Sequence, residues 1–281
     1  MIYLGSHCGM KAPKYLKGSV EEAISYNANA LMVYTGAPQN FRRTALDKLF
    51  IEEAHELMEA NGIKKENLVV HAPYLINLGN TIKPETFQTG IDLLTSEIER
   101  ATAFGAKYMV LHPGAHVGAG IPLAIDSIVK GLDIVNENND DLIIALETMA
   151  GKGTEVGSRF EEISEIISKV KRPEMLGVTL DTCHINDAGY DLNDFENILN
   201  QFDEIIGLDK LNVLHINDSI NEIGARKDRH ANIGEGTIGL DNLATVIHHP
   251  KLVDVVKILE TPYIDKEPPY KEEIELLLNH K

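Results

Sequence analysis

Short apolar runs recur along the chain about every 35 residues, and the segments between them repeat their apolar positions with helical spacing. The runs predict strands at 2–5, 30–34, 67–71, 107–112, 142–147, 176–181, 211–215 and 255–260. The intervening spacing predicts helices over Ser19–Asn27, Thr44–Ala60, Pro84–Phe104, Leu123–Glu137, Arg159–Val170, Asn193–Ile206, Leu240–His248 and Tyr270–His280. Ser19 before Glu21 and Glu22, and Pro84 before Glu85, suit helix starts: acids meet the unpaired N–H groups there, and proline loses no bond. The strands are apolar on both faces, as in a parallel sheet covered by helices. Eight strand–helix units predict an α/β fold, a single-domain (β/α)8 barrel over residues 1–281. A doubly wound open sheet is the alternative, but it would not readily bring the third and eighth strands together.

The ends of the predicted strands carry the chemistry. His71, His112, Glu147, Asp181, His215 and Glu260 end or directly follow six apolar runs, and His184, Asp228 and His230 lie close behind two of them. In such a barrel all carboxyl ends of the strands open on one rim, so these groups converge. A lone histidine is most often a hydrogen-bonded core or surface residue; five sharing one kind of position are not. Five imidazoles and four carboxylates exceed the roughly four ligands of a single zinc ion, which implies a multinuclear metal site at the rim. Asp228 and His230 are two apart and share one side of an extended segment. The Asp181/His184 spacing lets a strand end and the following turn face different ions. Glu147 and Glu260, with two oxygens each, are suited to bridging. Mixed imidazole and carboxylate ligation favours zinc, with manganese or iron also compatible.

The remaining candidates read as supporting or ordinary. His55, His248, His249 and His280 fall on helical or chain-end segments, His116 on a surface loop, and Cys183 in packing; His7, at the end of the first strand, reads as packing or as support behind the ligands. The segment Glu147–Gly157 is a glycine-containing loop suited to close backbone approach to a ligand, and its spacing is not that of a phosphate-binding P-loop.

Composition narrows the class. The chain has 281 residues, 43% apolar and 25% charged, with no run near the roughly 18 apolar residues of a membrane span. The first residues show no secretory pattern, and two cysteines make no disulfide framework, so a reducing cytoplasm is the expected compartment. The net charge of −17 argues against nucleic-acid binding through general basicity. Three divalent ions add six charges and still leave −11, so a polyanion needs a local positive site. Arg42 and Arg43 after the second strand, and Arg226, Lys227 and Arg229 after the seventh, supply candidates.

At these residues the chain resembles the endonuclease IV type of apurinic/apyrimidinic endonuclease, from Tyr3–His7 to Leu259–Pro262. The resemblance is carried by His71-Ala-Pro-Tyr-Leu-Ile-Asn-Leu-Gly79, Leu111-His-Pro-Gly114, Leu146–Thr154, Leu180-Asp-Thr-Cys-His184, His215-Ile-Asn-Asp218 and Asp228–Gly236. It implies a barrel with three Zn2+ per chain, Mn2+ serving in part, that incises double-stranded DNA on the 5′ side of abasic sites and trims blocked 3′ ends. By position, His71, His112 and Glu147 hold the first ion, with Glu147 bridging to the second. Asp181, His215 and Glu260 complete the second, and His184, Asp228 and His230 hold the third. Glu147 and Glu260 are the expected catalytic carboxylates. Tyr74 and Leu75 match the wedge inserted into the duplex, with Gln39 and Arg229 completing the DNA-facing set. Gln39 stands where the family often has arginine, and Ile220 where it commonly has lysine. A monomer with no obligate protein partner is expected. The competing expectation is a metal-dependent sugar isomerase or epimerase on a related barrel, which needs only one or two ions.

Overall fold

Eight parallel strands close on themselves in a computed structural model that describes residues 1–280. In chain order the elements are β1 (Leu4–His7), α1 (Tyr15–Ser25), β2 (Ala30–Val33), α2 (Ile51–Ala60), β3 (Leu68–His71) and α3 (Pro84–Ala103). Next come β4 (Tyr108–Leu111), α4 (Ile121–Val135), β5 (Ile143–Glu147), α5 (Phe160–Lys169), β6 (Leu176–Asp181), α6 (Thr182–Ala188) and α7 (Phe195–Ile205). The chain finishes with β7 (Leu211–His215), β8 (Asp218–Ser219), β9 (His230–Ala231), α8 (Leu240–His248), β10 (Val256–Leu259) and α9 (Tyr270–Asn279). The barrel order is β1-β10-β7-β6-β5-β4-β3-β2, and β1 closes it by pairing with both β10 and β2. Gly5 is needed at that seam, because a Cβ there would collide with the carbonyl of Ala30.

Strand alternation divides the core into two layers. Ala30, Met32, Val69, Val110, Val213, Val256 and Ile258 form one buried apolar cluster, mostly branched side chains, that fills the barrel. The larger cluster, with Leu31, Leu68, Leu111, Leu146, Phe104, Phe160 and Phe202, packs between strands and helices. No helix among the described residues is long and apolar enough to cross a membrane.

Several predicted elements differ from those observed, each for a local reason. The first strand lies at Leu4–His7 rather than 2–5, so its histidine sits at the rim. The helix expected over Thr44–Ala60 is interrupted: a single 3-10 turn at Leu46–Lys48 is followed by Phe50 in the left-handed region (φ 55°), and α2 begins only at Ile51. Helix α1 starts at Tyr15, and Ser19 lies inside it, its hydroxyl donating to the carbonyls of Gly9 and Tyr15 instead of capping. Helix α6 had no separate signal. It is started by Asp181, whose carboxylate accepts from the main-chain N–H of His184 at 2.8 Å. The β8–β9 hairpin, antiparallel and two residues a side, folds the β7 loop back over the rim.

Candidate metal centre at the carboxyl rim

Register aligns the groups before any side-chain contact is considered. An irregularity between Val178 and Thr179 shifts β6 against β7 and sets Asp181 opposite His215. On the other side of β6, Glu147 lies opposite Thr179. His71 and Glu147 end their strands, while His112 and Glu260 stand one residue past β4 and β10.

Three clusters result. His112 Nε2 lies 3.0 Å and His71 Nε2 3.3 Å from Glu147 Oε2. On the other side of that carboxylate, His215 Nδ1 is 2.9 Å from Glu147 Oε1, 2.9 Å from Glu260 Oε2 and 3.7 Å from Asp181 Oδ2. The third cluster has His184 Nε2 at 3.1 Å and His230 Nε2 at 3.6 Å from Asp228 Oδ1, with His230 Nε2 also 3.8 Å from Asp181 Oδ2. Groups whose ligand atoms all lie within 4.8 Å of one another are His71/His112/Glu147, Glu147/Asp181/His215/Glu260 and Asp181/His184/His230. Glu147 is therefore common to the first two, and Asp181 to the second and third. All nine residues expected from the sequence converge.

Asp228 departs slightly from expectation. It contacts His184, but at the same spacing it groups with His230 and Cys183. Cys183, expected in packing, is fully buried, and burial pushes its thiol pKa far upward, with the nearby Asp181 charge adding to the effect. The thiol is therefore neutral in the metal-free protein.

The charges fit cations. Burial opposes the charge on His215, but the Glu260 and Glu147 carboxylates beside it outweigh that penalty and hold its pKa well above the usual value. For His184 the opposing burial is overcome by Asp181, a hydrogen bond to Asp228 and the Glu147 charge. Glu147 is held well below the usual carboxylate range: burial opposes this, but His215 and His112 prevail. The raised values at His215 and His184 show that their surroundings favour positive charge. The balance is incomplete, because Glu147 Oε2 and His230 Nε2 are buried without a hydrogen-bond partner. Such an orphaned group costs about 1–3 kcal/mol, and a cation in the adjoining cluster would satisfy both atoms. His215 Nε2, on the far edge of its ring, is likewise buried and unpartnered.

Two residues that gave no ligand signal in the sequence hold Asp181, His184 and Glu260 in place. Asn217 donates from Nδ2 to Asp181 Oδ2 (2.7 Å) and accepts from the main-chain N–H of Glu260 (2.8 Å), tying two ligands of the second cluster together. Thr148 accepts from the Asp181 N–H at Oγ1 (3.0 Å), and its carbonyl lies 2.8 Å from His184 Nδ1, which leaves Nε2 for the cluster. Each stands one or two residues past a rim residue, and that proximity was the only available signal. His7 supplies no ligand atom to these clusters; it packs edge-on against Tyr34 (centroids 5.3 Å apart), which in turn lies 4.9 Å from the His71 ring. His116 closes its own loop by accepting from Gly118 and Gly120.

Around the clusters, Tyr74 and Leu75 remain 49% and 37% exposed in the loop after β3, enough surface to meet a ligand. Gln39, Arg229 and Ile220 are exposed as well. Arg43 does not add to the free cations: its Nε pairs with the buried Glu97 at 2.6 Å, and Nη1 donates to the Asn40 and Arg42 carbonyls. It pins the β2 loop, leaving Arg42 as that loop's exposed cation.

Convergent imidazoles and carboxylates at the carboxyl rim of a closed parallel barrel define a metal-site hydrolase or isomerase scaffold. In agreement, the family model described as "Xylose isomerase-like TIM barrel" matches residues 20–280. A protein from Listeria monocytogenes named "Probable endonuclease 4" is 56% identical over 285 residues, covering 99% of this chain and 95% of its own. A Bacillus cereus protein of the same name is 57% identical over 286 residues, with the same coverage. Among solved structures, endonuclease IV from Thermus thermophilus superposes with a TM-score of 0.85 at 32% identity, covering 98% of both chains. The chain belongs to the endonuclease IV family of xylose isomerase-like TIM barrels, and is a nuclease-type hydrolase.

Proposed function

We propose that the protein is a zinc-dependent DNA repair endonuclease that hydrolyses the phosphodiester 5′ to abasic sites in double-stranded DNA. It leaves 3′-hydroxyl and 5′-deoxyribose phosphate ends, and trims blocked 3′ ends. The observation that carries this reading is the sharing of Glu147 and Asp181 among three adjoining clusters, an arrangement suited to three neighbouring ions. His71, His112 and Glu147 would hold the first ion; Glu147, Asp181, His215 and Glu260 the second; His184, Asp228 and His230 the third. When bound, such ions supply Lewis-acid charge to phosphoryl oxygens and make water acidic enough to attack near neutral pH.

The chain's own residues do the rest. Glu147 directs Oε2 at the first cluster and Oε1 at the second, and Glu260, its backbone fixed by Asn217, turns Oε2 toward His215 in the second. Tyr74 and Leu75, exposed a few residues past His71, would fill the gap left by an extruded abasic nucleotide, whose unstacking costs a few kcal/mol. Gln39 and Arg229 would contact the flanking backbone. A sugar isomerase or epimerase would have no use for the His184/Asp228/His230 cluster. We further infer that the protein acts in the cytoplasm as a monomer.

The test is a duplex with one abasic site, incubated with and without chelator. The reading requires a nick 5′ to the lesion whose 3′ end a polymerase extends, and no nick with chelator. A 3′ end that cannot be extended, or cleavage that survives chelation, would contradict it.

A further inference from the structure

Behind the third cluster lies a carboxylate that none of the preceding roles uses. Asp187, near the end of α6, is fully buried, and its two oxygens accept four hydrogen bonds. Oδ1 accepts from Ser219 Oγ (2.7 Å) and Asn186 Nδ2 (3.2 Å), and Oδ2 from Asn221 Nδ2 (2.8 Å) and the main-chain N–H of Asp228 (2.9 Å). Its carbonyl accepts from the Arg226 N–H at 2.9 Å, and that of Asn186 from Gly224 at 2.9 Å. The last residues of α6 therefore hold the β8–β9 loop at Ser219, Asn221, Gly224, Arg226 and Asp228.

The loop needs that hold. Arg226 and Asp228 both have φ in the left-handed region, 54° and 56°, a conformation that a residue with a Cβ adopts only when its surroundings hold it there. Without an outside partner the segment would relax, and Asp228 Oδ1 would leave its position 3.1 Å from His184 Nε2. His184 and Asp187 are three apart on one short helix, so they share a face across one turn. The same turn thus offers an imidazole to the cluster and a carboxylate to the backbone of the opposing ligand. The buried negative charge of Asp187, directly behind Asp228, also favours a cation in front of it.

We propose that Asp187 is the positioning residue of the third metal site, fixing Asp228 through its main chain and setting the affinity of that site alone. The proposal rests on the three-ion reading above. Groups that orient metal ligands in this way typically change affinity 10- to 100-fold when removed.

The test titrates Zn2+ into metal-free wild type, Asp187→Asn and Asn221→Ala against a chromophoric chelator, with thermal unfolding of each metal-free protein recorded in parallel. Wild type is expected to bind three ions. Asp187→Asn should bind two with unchanged affinity and one 10- to 100-fold more weakly. Asn221→Ala, which removes one donor to Asp187 and leaves the carboxylate in place, should weaken that same ion by less. Isotherms for Asp187→Asn that superpose on wild type, or an equal weakening of all three ions, would overturn the proposal. Wild type binding fewer than three ions would instead overturn the three-ion reading, and this proposal with it, whatever the variants do.

Discussion

Removal of the Asp218 carboxylate should be among the most destabilising single changes at the rim. Asp218, in β8, is fully buried, and residues 234–239 wrap around it. Oδ1 accepts from the N–H groups of Ser219 (2.8 Å) and Ile238 (3.0 Å), and Oδ2 from those of Gly234 and Gly236 (both 3.1 Å). Gly239 N–H points between the two oxygens, at 3.2 and 3.3 Å. The turn can close this tightly because Gly234 and Gly239 have φ of 80° and 82°, and because a Cβ on Gly236 would strike Asp218 itself. In Asp218→Ala the glycine N–H groups, on partly exposed residues, can find water. Those of Ser219 and Ile238, on buried residues, cannot, and at about 1–3 kcal/mol each their loss amounts to roughly 2–6 kcal/mol. That is a large share of the 5–15 kcal/mol typical of a folded domain. Asp218→Asn keeps one acceptor but turns an amide N–H toward donors, so about half the loss is expected. Urea denaturation of the metal-free proteins measures the difference without contributions from bound ions. An unfolding free energy for Asp218→Ala within about 1 kcal/mol of wild type would refute the reasoning.

Three further outcomes are expected. Glu147→Gln should reduce abasic-site incision by several orders of magnitude while duplex binding persists, as read from single-turnover kinetics and a gel-shift assay; near-normal cleavage would remove Glu147 from its shared role between two clusters. Replacing both Tyr74 and Leu75 with alanine should impair incision within a duplex far more than removal of a 3′-terminal phosphate, because a frayed end needs no wedge; equal losses at full metal content would leave packing as their role. Lys257 is fully buried with Nζ donating to the carbonyls of Leu252 and Val255, and burial lowers its pKa to about 8 despite the nearby Asp254 charge. Between about pH 8 and its unfolded value the folded state binds fewer protons, so stability should rise with pH by on the order of 1 kcal/mol per unit relative to Lys257→Met. Parallel pH dependences of the two proteins would show that the amine is not desolvated as drawn.

The sequence disclosed the barrel and the rim residues because both follow from strictly local rules. A buried parallel strand has to be apolar on both faces, so a histidine or acid closing such a run, as at His71, Glu147 or His215, stands out against it. Partners across the chain leave no such mark. Nothing near Phe50 foretells its left-handed backbone, and Asp181 reads as a ligand with no hint that it also starts α6. Asn217 and Asp187 look like ordinary loop and helix residues until β7 and the β8–β9 loop are folded over them. Arg43 shows the opposite failure: beside Arg42 it reads as a free cation, and only the folded chain brings Glu97 to its Nε, 54 residues away in sequence.

Stepwise reconstitution tests the central claim most directly. Metal-free protein is given Zn2+ in measured equivalents, and incision of a duplex with one abasic site is followed at each step. If the three clusters at the rim act together, activity should stay low through the second equivalent and reach its plateau at the third. Full incision at one equivalent, or no incision after the third, would contradict a shared three-ion centre built on Glu147 and Asp181.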